Sequence, residues 1–102
     1  MDRIAMLNEI LQQNPGDAFA RYGLAMAYVA EGKREEALKE FAETIERSPE
    51  YVPAYQMSAQ ELLKAGRVDE AKARLEAGIA VCQRTGNSHA ASEMSAMLDE
   101  IG

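Results

Sequence analysis

The sequence repeats itself at an interval of 34 residues. Displaced by that interval, Pro15 falls on Pro49, Ala20 on Ala54, Ala25 on Ala59, Gly32 on Gly66, Glu36 on Glu70, Ala37 on Ala71 and Ile45 on Ile79. Tyr28 meets Leu62 and Phe41 meets Leu75, so apolar character persists where identity is lost. A fixed period of this kind marks stacked supersecondary units, none of which buries its apolar face alone, and ~34 residues is the length of a helix–turn–helix unit. The period constrains the chain to a stack of helices and its function to a surface that holds another molecule.

Hydrophobic spacing and breakers predict six helices. The first runs from Asp2, an N-cap residue, to Gln13, with Ile4, Leu7 and Leu11 at helical spacing, and Asn14-Pro15-Gly16 stops it. Asp17 caps a second helix over 18–31, which Gly32 closes. Its apolar residues, Phe19, Tyr22, Leu24, Met26, Tyr28 and Val29, make a stripe too wide for a helix with one covered face. The third helix, 34–47, packs through Ala37, Leu38, Phe41 and Ile45 and carries Glu35, Lys39 and Glu43 on a solvated face. A fourth begins near Pro53, which suits the first helical position, and ends before Gly66. Asp69 is expected to cap a fifth, which lacks a proline at Gln83 and so continues to about Arg84. Asn87 or Ser88 caps a sixth, where Ala91, Met94, Leu98 and Ile101 form a heptad-like seam. No strand pattern is present.

At 102 residues this is the size of one small domain. The net charge of −6 disfavours phosphate backbones and anionic lipid, so neither nucleic acid nor a membrane is an expected partner. No segment has the ~20 apolar residues of a membrane span, and the start resembles no signal peptide. Cys82, the only cysteine, reads as a small buried apolar residue, and a lone thiol fits a reducing, cytoplasmic setting. Catalysis has no candidate residues. The single histidine, His89, follows Ser88 at a helix start, where a serine caps. Phosphate loop, nucleophile elbow and Cys-His cluster are all missing, so no cofactor and no metal are expected.

The repeated residues resemble the tetratricopeptide repeat, whose signature is an aromatic, then Leu-Gly and Tyr, then Ala, a second aromatic and a closing Pro. Leu24, Ala25 and Tyr28, then Ala37, Phe41 and Pro49, stand at those places in the first full unit, with Arg21 at the tryptophan place. The second unit has Tyr55, Ala59, Leu62, Ala71 and Leu75, and departs at Ser58 and Gln83. Leu7 and Leu11 fall in register with Phe41 and Ile45, so the first helix matches the second half of a unit. The resemblance thus implies an all-α superhelix of six antiparallel helices: a half-unit at 1–15, repeats at 18–51 and 52–85, and a capping helix at 87–102.

In that family the first helices of successive repeats line a concave groove. The resemblance therefore implies partner-binding positions at Phe19, Tyr22, Met26 and Val29 on the second helix and at Gln56, Gln60, Leu63 and Lys64 on the fourth. His89, Glu93 and Met97 are the corresponding expectation on the sixth. Phe19 and Met26 also fit packing against the N-terminal helix. Tyr22, Met26 and Met57 stand where chaperone-binding relatives clamp a carboxylate with Lys and Asn, which argues against that ligand. The function implied is a non-enzymatic scaffold or adaptor holding a peptide or helix of a partner protein. The alternative is a self-associating protein that dimerises through Met94, Leu98 and Ile101.

Overall fold

A computed structural model describes residues 2–102; Met1, the first residue of the N-terminal half-unit, lies outside the described residues. Among them the elements are six α-helices and no strand: α1 (Arg3–Gln13), α2 (Ala18–Ala30), α3 (Arg34–Arg47), α4 (Val52–Lys64), α5 (Val68–Thr85) and α6 (Ser88–Ile101). The chain divides into two compact units, one ending at Ser48 and the other spanning Pro49–Gly102.

Side-chain caps start three helices. Asp2 accepts from the Ala5 amide at 2.8 Å, Asp17 from Ala20 at 2.9 Å and Asn87 from Ala90 at 3.2 Å, each satisfying one orphan N–H of a first turn. The fifth helix departs from expectation. It begins at Val68 with Arg67 at the cap position and no side-chain cap bond, so Asp69 lies within the first turn and does not cap. There Asp69 and Glu70 place negative charge at the positive end of the helix dipole. The fourth also starts one residue early, at Val52, leaving Pro53 second. Gly32 (φ 74°) and Gly66 (φ 76°) close α2 and α4 in the left-handed region, where a Cβ is costly. After each, the next amide bonds back into the helix, Lys33 to the Tyr28 carbonyl and Arg67 to that of Leu62, both at 2.9 Å.

In the first unit α2 packs on both α1 and α3. Leu11, Ala20 and Leu24 form a buried cluster, with Ile4, Leu7 and Tyr28 packed against it. On the α3 side Phe41 and Ala37 are fully buried, and the Tyr22 and Phe41 rings lie 5.8 Å apart in a tilted arrangement. Each large side chain so buried stabilises the unit by ~1.5–3 kcal/mol before entropy is counted. Arg21, the one charged residue of α2, turns to α3 and pairs with Glu40 at 2.9 Å.

The second unit repeats this plan and then departs from it. Here α5 packs on both α4 and α6. It has 18 residues where α3 has 14, and its added turn, 82–85, buries Cys82. The extension shifts the register of α6. Helix starts are 34 residues apart from Ala18 to Val52 but 36 apart from Val52 to Ser88. Burial keeps to the longer spacing: Ala20, Ala54 and Ala90 are all buried, as are Leu24, Ser58 and Met94. Met94 thus stands at the repeat's leucine place and is fully buried. That removes it from the dimer seam expected of α6, while Leu98 and Ile101 remain half-buried.

Candidate functional site

The outward face of α2 is apolar. Phe19, Tyr22, Met26 and Val29 succeed one another at intervals of three and four residues, so they share one side of the helix. Phe19 is 76% exposed, which separates it from the α1–α2 core that it was equally suited to join. Tyr22, Met26 and Val29 are half-buried, and Tyr22 is held by its ring contact with Phe41. Since Arg21 is committed to Glu40 and to the Pro15 carbonyl at 3.2 Å, this face carries no charged side chain.

On α4 the corresponding face is polar. Gln56, Gln60 and Leu63 are half-buried and Lys64 is exposed. Lys64 reaches back one turn to Glu61 at 3.3 Å, and Glu61 is itself buried. The structure therefore gathers the eight expected binding positions into two helix faces, four on α2 and four on α4. On α6 the 36-residue spacing corrects the expected set. His89 keeps its place, but Ser92, Ala96 and Asp99, all exposed, stand in register where Glu93 and Met97 were expected.

Beneath these faces, two residues hold the first helix of each repeat to the chain before it. Arg21 Nη2 donates to the Pro15 carbonyl, and Tyr55, one repeat later, donates its hydroxyl to the Pro49 carbonyl at 2.6 Å. Burial raises the Tyr55 hydroxyl above its ordinary pKa, against the opposing pull of Arg74 and Arg84. Ser58, the other departure at the repeat's leucine place, is buried and returns its hydroxyl to the Ala54 carbonyl at 2.6 Å and to that of Tyr55 at 3.1 Å. Its polar atom is thereby satisfied inside the helix.

Gly78 is a packing position that periodicity missed. A Cβ there would lie 2.7 Å from Met94 Sδ and 2.8 Å from Tyr55 Cβ, so α5 touches α4 and α6 at one point. Its equivalent in the first unit is Thr44, buried with its hydroxyl donated to the Glu40 carbonyl at 2.7 Å. A glycine within the apolar pattern of the fifth helix was the available signal.

The sequence matches the tetratricopeptide repeat profile over residues 4–62 and again over 28–92, which together span most of the chain. The chain belongs to the tetratricopeptide repeat family. A TPR repeat-containing protein of Pseudomonas aeruginosa is 25% identical over 95 residues, covering 93% of this chain and 90% of its own length. The solved tetratricopeptide repeat domain protein of Salinibacter ruber is similar at TM-score 0.82 and 28% identity, covering 86% of this chain and 89% of that one. The TPR2B domain of yeast Sti1, solved in a complex with pHsp70, superposes at TM-score 0.87 over 96% of this chain and 78% of its own. At 21% identity that likeness concerns the TPR fold alone.

Two properties bear on what TPR helices like these can do. Among the described residues no group of three or more His, Cys, Asp or Glu side chains is arranged to hold a metal ion. Among the described residues no helix is long and apolar enough to cross a membrane.

Proposed function

We propose that this TPR protein is a non-enzymatic binding module that holds a peptide or helix of a partner protein on the first-helix faces of its repeats. The observation that carries the proposal is Phe19, 76% exposed on a helix face free of charge. Leaving a large aromatic ring in water forgoes ~1.5–3 kcal/mol of burial, which a partner's apolar side chain recovers. Met26 beside it is a flexible, polarisable surface, and Gln56 and Gln60 on α4 add hydrogen-bonding capacity. Tyr22, Val29, Leu63 and Lys64 complete the proposed contacts. The proposal treats 1–102 as one scaffold or adaptor module. It places the protein in the cytoplasm, because Cys82 is a lone buried thiol.

A photo-crosslinking residue at position 19 or 60, compared with one at Glu36 on α3, tests the proposal in native lysate. Partners captured from 19 and 60 and absent from 36, with capture from 60 lost on Phe19→Ala, support it. Capture that is the same from all three positions overturns it.

Self-association through α6 is the weaker reading, since Met94 is fully buried within its own unit. Light scattering on a size-exclusion column decides it: a monomer at high concentration removes the dimer.

A further inference from the structure

We draw no further inference here: the strongest candidate, the exposed apolar patch of Met6 and Ile10 on α1 with Phe19 on α2, carries nothing beyond the proposed partner face because nothing in the structure shows what covers it.

Discussion

Arg21 on α2 donates to Glu40 on α3 at 2.9 Å, with only 14% and 18% of their side chains exposed. One repeat later the same two places hold Tyr55 and Arg74. The ion pair has no counterpart there, and the tie to the preceding proline carbonyl passes from a guanidinium to a phenol. The two copies thus keep the tether but not this charge pair.

A double-mutant cycle of Arg21→Gln and Glu40→Gln should therefore give a coupling of about 1–2 kcal/mol. That lies between the ~0.2–1 kcal/mol of exposed pairs and the ~3–5 kcal/mol lost when a buried pair is broken. The exposed i, i+4 pair Arg47–Glu43, at 2.6 Å, should couple by about 0.5 kcal/mol or less. Urea denaturation of the four variants of each cycle measures both. Equal couplings would show that partial burial adds nothing at Arg21.

Two helical glycines should respond oppositely to alanine. At Gly78 a Cβ meets the Tyr55 Cβ at 2.8 Å, an atom fixed to the backbone. Overpacking of this kind costs about 1–3 kcal/mol, more than the ~1 kcal/mol alanine adds in helix propensity. At Gly23 the new Cβ lies 3.7 and 3.8 Å from the Leu7 methyl carbons, an ordinary contact. Gly23→Ala should stabilise by up to ~1 kcal/mol. Thermal melts of the two variants check the contrast, and a stabilised Gly78→Ala would contradict the packing.

Phe19→Ala should separate binding from folding. At 76% exposure the ring adds little to the core, so stability should change by less than about 0.5 kcal/mol. Crosslinked partner capture should nonetheless fall. Tyr22→Ala should not be so clean, because its ring packs on Phe41. A Phe19→Ala variant that melts several degrees lower would place this ring in the core.

Stability should decline in mild alkali. Burial pushes the Cys82 thiol up, and burial outweighs nearby arginines in pushing up the Tyr55 hydroxyl. The native state therefore holds these protons more tightly than the unfolded chain does. Their contribution is full below the unfolded pKa and is lost as pH rises through the raised native value. For Cys82 the decline should begin above pH ~8.5. Urea midpoints from pH 7 to 10 measure it, and Cys82→Ala should flatten the first part of the fall. Native Cys82 should also react slowly with a thiol reagent at pH 8 and quickly in urea. Rapid native labelling would refute its burial.

Much of the architecture is legible in the sequence because it is written locally. Gly32 and Gly66 stop helices where a left-handed residue is needed, and Asp2, Asp17 and Asn87 accept the amide three residues on. Ala25, Ala37, Ala59 and Ala71, spaced by the repeat, are all fully buried at close helix contacts. The family and the helix faces come from the same pattern. What local chemistry left open was the start of α5, where Asp69 looks like a cap but Val68 is already helical.

The sequence by itself determined six helices, their order and the 34-residue phase of the first five, since caps, glycine stops and apolar spacing act within a turn or two. Only the tertiary structure decided which side α6 turns inward. Burying Cys82 stabilises an added turn of α5, the spacing becomes 36 residues, and Met94 fills the space at Gly78 instead of joining a dimer seam. It likewise decided Phe19, whose apolar character suits core and surface equally. Its place depends on which neighbours α1 supplies, and Leu7 and Leu11 pack on α2 while leaving that ring in water.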